Sequence, residues 1–408
     1  MDLKSGHPFW PVYNGLPANF PPLLDDISCD VVIAGAGITS ALIAESLCEA
    51  GLDVVVLDKR DVGWGSTAAS TALLQYEIDT PLTELVRLYG EQRAVSAYRA
   101  CEKAVLSLGE LASELGSVGF KTMQSLYFAS RWMHAARVRE EGELRQRHGF
   151  EVDVLDREKL LERSGIRASA ALLTAVAAQV DPYRMTYALF RKLQRNGARI
   201  FDRSAMLRWV PEQKHISVEV ERDITIRCGH LVIAAGYETQ EFLPARVARN
   251  RSSYAVVTEP VTGTLKPLDN LLVWESARPY SYLRTTSDRR VLIGGEDDSI
   301  DVAVKRDALV ARKSRRLMHK LRRLFPDKAF SESFAWAGTF AETADGLPFF
   351  GSHPKSDPRV HFAMAYGGNG ITYSAIGAEI IRARLTRKTH SLSRFFSFER
   401  LDRRFDAS

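Results

Sequence analysis

Two glycine clusters carry the residue spacings that can do chemistry in this 408-residue chain. In the first, Val31-Val32-Ile33-Ala34 leads into Gly35, Gly37 and Ser40, small residues follow to Ala50, and Val54-Val55-Val56-Leu57 ends in Asp58. Gly35 permits a tight turn, Gly37 lets a pyrophosphate approach the backbone, and bare N–H groups at a helix start favour an anion. Asp58, roughly 20 residues on, is placed to accept a hydrogen bond from a ribose hydroxyl. Ser40 replaces the usual third glycine and is small enough for close helix–strand packing. The second cluster, Tyr366-Gly367-Gly368-Asn369-Gly370-Ile371-Thr372, again sets exposed N–H groups before an apolar helix, Ala375 to Leu385. Two such sites at opposite ends of the chain suit one long ligand. Taken alone, the first cluster also fits a strand–turn–helix with no ligand.

The elements that must position these residues start with a βαβ unit, because two branched apolar runs flank a helix of small residues. Residues 1–28, rich in Pro, Asn, Gly and aromatics, read as an extended arm packed on the surface. After Asp58 a loop of small residues runs from Gly63 to Ala72. Residues 80–116 follow a helical period, Phe120 to Ala129 reads as a strand, and Arg131 to Arg147 as a charged helix. Asp181-Pro182-Tyr183 starts a helix that Asn196-Gly197 stops. A hairpin from Ile216 to Ile226 leads to a second buried strand, Leu231-Val232-Ile233-Ala234-Ala235-Gly236, ending in small residues. Residues 251–300 alternate with period two, as an antiparallel sheet does. Lys305 to Arg323 is a basic helix with a solvated face, and the basic segment Arg382 to Arg404 a packed terminus.

Hydrophobic content of 45% and charged content of 26% are those of a globular protein. The net charge of +5, from 55 basic against 50 acidic residues, points to a small-molecule ligand and away from nucleic acid. Cys29, Cys48, Cys101 and Cys228 lack metal or CxxC spacing, so free thiols in a reducing compartment are expected and no metal site is. No apolar signal core or membrane-length run is present, which predicts a cytoplasmic protein without a transmembrane segment.

Taken together, these pieces resemble the FAD-dependent amino-acid and amine oxidases of the D-amino-acid oxidase, glycine oxidase and sarcosine oxidase family. The resemblance rests on their order along nearly the whole chain: Gly35 to Ser40 with Asp58; Ser66 to Ala72; Val180-Asp181-Pro182 with Gly197-Ala198-Arg199; Val232 to Gly236; and Trp336 to Thr372. It implies an α/β architecture in which a Rossmann-like FAD-binding domain (29–80, 171–240 and 335–390) is interleaved with a mixed antiparallel-sheet substrate domain (81–170 and 241–334), followed by a tail, 391–408. It implies FAD, held noncovalently because no cysteine matches the attachment position of some relatives. Gly35, Ala36, Gly37, Ile38, Thr39 and Ser40 would hold the pyrophosphate, and Asp58 and Lys59 the adenosine ribose. Gly65, Ser66, Thr67, Ser70, Thr71, Ala72 and Gly338 would pass along the flavin, Met206 would face the adenine, and Ala235 and Gly236 would close the pocket. Gly368, Asn369, Gly370, Ile371 and Thr372 would lie at the flavin's pyrimidine edge.

The implied reaction is oxidation of a small amine or amino acid: a hydride leaves the C–H next to nitrogen for flavin N5, and water hydrolyses the imine. Dioxygen or another acceptor then takes the electrons. Arg284, Tyr282, Tyr254 and Glu342 are the substrate-site candidates. Arg284 could bind a substrate carboxylate or be a surface strand arginine, and Glu342 could attract a cationic amine or cap the Asp345-Gly346 turn, the structural role being favoured. Phe340-Ala341 stands where many amino-acid oxidases of the family carry Arg-Pro, which removes one carboxylate-binding arginine. His353 and His361, in a Pro- and Ser-rich stretch, are expected in solvent. The residues name no general base. An NAD-linked dehydrogenase and a flavin dehydrogenase that passes electrons to a quinone or protein acceptor remain alternatives.

Overall fold

The computed structural model describes residues 2–266 and 268–401 and contains two sheets. The first places its strands in the order Phe349–Gly351, Val360–Met364, Ile224–Ile233, Ile27–Ala34, Val54–Leu57 and Arg199–Phe201, parallel except at the Phe349–Gly351 edge. Val31 and Ile33 pack into a cluster with the helices Ile38–Glu49, Pro182–Arg195 and Gly370–Leu385, while Val32 packs on the other side with Ile216 and Val218 of a three-strand antiparallel extension. Covered on both faces, the central strands have to be apolar throughout, and so they read as continuous runs.

The second sheet has nine strands, running Glu332–Glu342, Arg249–Thr258, Val291–Asp298, Tyr282–Thr285, Leu271–Glu275, Lys121–Phe128, Ala171–Gln179 and Leu73–Gln75, with Val152–Leu155 also pairing Ala171–Gln179. It is antiparallel apart from the parallel pair of Leu271–Glu275 with Lys121–Phe128. Leu317, Met318 and Leu321 of the basic helix Val310–Leu324 pack on Tyr254, Val256 and Ile293.

Several sequence expectations change. Leu73–Gln75, Ala171–Gln179 and most of Glu332–Glu342 fall in the ranges expected for the FAD-binding domain, and they pair in the second sheet. An apolar run has the same appearance in either sheet, and only its pairing partners tell them apart. The N-terminal arm contains a helix, Phe9–Asn14, whose Phe9 and Trp10 are buried, because aromatic surface this large is not left in water when a groove is at hand. His361 lies inside the buried strand Val360–Met364, and His353 is buried against Phe398. The helical stretch 80–116 is two helices, Leu82–Tyr89 and Glu91–Leu115, parted at Gly90. The last helix starts at Gly370, five residues before the apolar run.

The terminal segment packs as expected. Leu392, Phe395, Phe396 and Phe398 are buried, while Arg403 and Arg404 lie outside the described residues. Among the described residues no helix is long and apolar enough to cross a membrane, no acid, histidine and cysteine group could hold a metal, and all four cysteines are free.

Candidate active site

The glycine turn sits where the first parallel strand gives way to the helix Ile38–Glu49. Gly35 has φ +113°, and a Cβ there would lie 2.3 Å from the Ala234 carbonyl oxygen, so no side chain fits between the two strand ends. Asp58 braces the turn: its Oδ2 accepts from Ala36 N at 2.7 Å and its Oδ1 from Arg60 N at 2.8 Å. Burial pushes the Asp58 carboxyl upward, against these backbone hydrogen bonds. Ile38 N donates to Thr67 Oγ1 at 3.0 Å, which ties the small-residue loop to the helix start. Lys59 and Arg60 both reach the carboxylate of Glu238.

One cavity joins this turn to the second sheet. From the parallel-sheet side it is lined by Gly35, Ala36, Gly37, Ile38, Thr39, Asp58, Lys59, Met206, Ala235 and Gly236. The connecting loops add Gly65, Ser66, Thr67, Ser70, Thr71 and Ala72, with Gly368, Asn369, Gly370 and Ile371 at the N-terminus of the 16-residue helix Gly370–Leu385. The second sheet contributes Gly338, Tyr254 and Tyr282, and beside them Ser253, Trp274, Tyr280 and Asp297. Asn369 Nδ2 donates to the Glu77 carbonyl at 2.6 Å and Gly368 N to Asp79 Oδ2 at 2.6 Å, so the segment leading from the small-residue loop anchors the second glycine cluster.

Four expected site residues stand elsewhere. Ser40 is buried beside the Ala234 carbonyl, 3.3 Å from its hydroxyl, and packs helix to strand. Thr372 is buried behind the helix start, its hydroxyl turned to the Gln75 carbonyl. Arg284 is 2% exposed and away from the cavity: its Nε donates to the Thr71 carbonyl at 2.7 Å and its Nη2 to the Val180 carbonyl at 3.0 Å. Burial lowers its pKa to about 10, against the pull of Asp181. Glu342 pairs with Arg251 and lines a neighbouring polar cleft with Asp79 and Arg278. It does not cap the Asp345-Gly346 turn, where Asp345 itself accepts from Leu347 N at 3.0 Å.

The sequence reading missed Trp274, Tyr280, Asp297 and Asp79. The pair Gly294-Gly295 inside an alternating strand was the available signal for Asp297, since glycine in a strand marks a bulge or a close approach.

Residues 30–384 match the family model for FAD dependent oxidoreductases. The chain belongs to this family. It is 24% identical over 388 residues to gamma-glutamylputrescine oxidoreductase of Escherichia coli (strain K12), covering 89% of this chain and 85% of that protein. Glycine oxidase from Geobacillus kaustophilus superposes with a TM-score of 0.74 at 19% identity, over 91% of this chain and 98% of that one. L-proline dehydrogenase from P. horikoshii superposes with a TM-score of 0.77 at 19% identity, over 93% and 100%. As a member of the family the chain is an enzyme, its cofactor is FAD, and the NAD-linked alternative falls. The cavity fits that group: Ser66 Oγ is buried there without a hydrogen-bond partner among the described residues, and the glycine turn presents its backbone where a side chain would block approach.

Proposed function

We propose that this flavoenzyme oxidises a small amine or amino acid at the C–H next to nitrogen, the imine product being hydrolysed by water and the electrons passing to dioxygen or another acceptor. The observation that carries the reading is the single cavity that joins the glycine turn and Asp58 to the aromatic wall of Trp274, Tyr280 and Tyr282. FAD, when bound, supplies the hydride acceptor. In this reading Gly35 to Thr39 hold the pyrophosphate, Asp58 and Lys59 the ribose, and Met206 the adenine. The loop from Gly65 to Ala72 and Gly338 would flank the flavin. The N-terminus of the helix Gly370–Leu385, at Gly368 to Ile371, would stabilise negative charge on the reduced ring.

The chain's own work is to bind the substrate, orient its C–H and exclude water. Tyr280 and Tyr282 have centroids 5.8 Å apart, and Trp274 meets Tyr280 edge-on at 6.1 Å, a wall able to hold an alkyl chain or a cation. The four free cysteines fit a reducing compartment, and we place the enzyme in the cytoplasm.

The test is the visible spectrum of the purified protein, sealed from oxygen, before and after adding pools of amines, N-methylated amino acids and amino acids. Bleaching of the oxidised flavin band by one pool supports the reading, and the response to air then identifies or excludes dioxygen as acceptor. A flavin band that no amine or amino acid bleaches overturns it.

A further inference from the structure

The strand Val291–Asp298 does not run evenly beside Arg249–Thr258. Ser252 pairs with Asp298 and Tyr254 with Gly295, so three steps on one strand face two on the other, a β-bulge at Glu296 and Asp297. Glu296 has φ +57°, a conformation that costs a non-glycine residue free energy and persists only when the surroundings impose it. Those surroundings are on the helix Val310–Leu324. Lys313 Nζ donates to the Glu296 carbonyl at 2.5 Å, and Arg316 and Lys320 reach its carboxylate at 3.3 and 3.4 Å. The neighbouring Gly295, at φ +130°, would place a Cβ 2.4 Å from the Tyr280 carbonyl. Strand, helix and aromatic loop are thus fitted around a kink that turns one side chain, Asp297, into the cavity.

The two acids flanking Asp297 are matched with cations, since Lys313 lies 3.2 Å from Asp298 as well as on the Glu296 backbone. Asp298 also accepts from the Tyr254 hydroxyl at 3.1 Å. Asp297 differs: its Oδ1 is buried without a hydrogen-bond partner among the described residues. Around it stand Ser253 of the adjoining strand, the phenols of Tyr280 and Tyr282, Asp79, Glu342 with its partner Arg251, and Lys313 behind the bulge. Burial first, then the Asp79 and Glu342 charges, push its carboxyl up to about 7, against Ser253 and Lys313. The cationic side chains lining the cavity, among the described residues, are Lys59 and Arg60, and both reach Glu238. Arg284 is committed to three backbone carbonyls. A carboxylate beside the reacting carbon would therefore meet Asp297 with no cation to balance it, whereas an ammonium would satisfy the orphaned oxygen and rest on aromatic faces.

We propose that Asp297 is the anchor for an amine that arrives protonated, that it takes the ammonium proton before the hydride leaves, and that the substrate is an amine with no carboxylate on the carbon that is oxidised. The assignment rests on the proposed amine or amino-acid oxidation and narrows it to amines. The Trp274, Tyr280 and Tyr282 wall takes the alkyl part, and the bulge fixes the carboxylate's direction.

The test uses the FAD-loaded enzyme and two ligands of one shape. tert-Butylamine has no C–H on the carbon bearing nitrogen, so it binds without reacting, and pivalate carries a carboxylate in place of the ammonium. Binding is read from the perturbed flavin absorption. tert-Butylamine should bind more tightly than pivalate, and between pH 5 and 8 its affinity should rise and level off near pH 7, as Asp297 ionises while the amine stays protonated. Asp297→Asn should weaken tert-butylamine by about 10- to 100-fold, the range of a charged hydrogen bond, and flatten the pH profile. Preference for pivalate overturns the anchor and needs no variant to be seen. Equal affinity in Asp297→Asn overturns it as well. If amines bind through Asp297 and none reduces the flavin, the oxidation reading fails and the anchor stands; if amines reduce both forms with equal affinity, the anchor fails and the oxidation stands.

Discussion

Arg284 holds the Thr71 carbonyl through Nε at 2.7 Å, linking the second sheet to the loop that borders the cavity. Another contact, Nη2 to the Val180 carbonyl, fixes the chain just before the helix Pro182–Arg195, and Trp10 of the N-terminal helix stacks below the guanidinium, 5.1 Å from ring centroid to Cζ. Trp10 also donates to the Ser70 carbonyl at 2.7 Å, so two side chains grip successive carbonyls of one loop. Arg284→Ala should lower stability by about 3 kcal/mol, since it leaves buried carbonyls unpaired, and should raise the dissociation constant for FAD. Arg284→Lys should recover little, because one ammonium cannot span both carbonyls. Thermal melting with and without added FAD checks both. A variant that keeps its flavin and loses affinity only for carboxylate ligands would return Arg284 to the substrate.

Asp297 makes stability fall with rising pH. Its folded value of about 7 lies above the unfolded value of about 3.9, so the protonated form is favoured by folding. The stability this contributes is complete below about pH 4 and lost as pH rises to about 7. Asp297→Asn should therefore match the parent protein near pH 4 and exceed it at pH 8 by up to about 4 kcal/mol. Denaturant midpoints at the two pH values decide this.

His361 acts in the opposite direction. Burial, with the nearby His230 and Arg384, lowers its pKa to about 3, below an unfolded value of about 6.5. The stability it contributes is present above about pH 6.5 and lost as pH falls toward 3. The parent protein should lose on the order of 3 kcal/mol from this group between pH 7 and pH 4, and His361→Gln should show a flatter acid limb. Equal acid slopes in the two proteins would remove His361 as the cause.

Arg400 joins the terminal segment to the Asp345-Gly346 turn. Its Nε donates to Asp345 Oδ2 at 2.6 Å, and its Nη atoms reach the Phe395, Leu347 and Pro348 carbonyls. Burial opposes ionisation of Asp345, but the Arg400 charge and the Tyr89 hydroxyl outweigh it and hold the carboxyl below its ordinary range. Arg400→Ala should cost about 3–5 kcal/mol, because it strands a buried carboxylate. A melting temperature within two degrees of the parent's would contradict this.

The glycine turn, the small-residue loop and the family itself were legible in the sequence. They leave short-range marks: a glycine where φ is positive, and continuous apolar runs where strands are buried on both faces. What tertiary structure alone decided is where side chains point and which strands meet. Ala171–Gln179 is only an apolar run in the sequence and acquires its sheet from Lys121–Phe128. The sequence leaves Arg284 open between a substrate ligand and a surface strand arginine, and it is neither: carbonyls of Thr71 and Val180, 213 and 104 residues away along the chain, claim its donors. Asp297 faces the cavity because a bulge, held by Lys313 on a helix that follows it, breaks the alternation that would otherwise assign its face. Backbone geometry near a glycine is a short-range property, whereas the partner of a long polar side chain is settled by whichever distant group burial brings within about 3 Å of it.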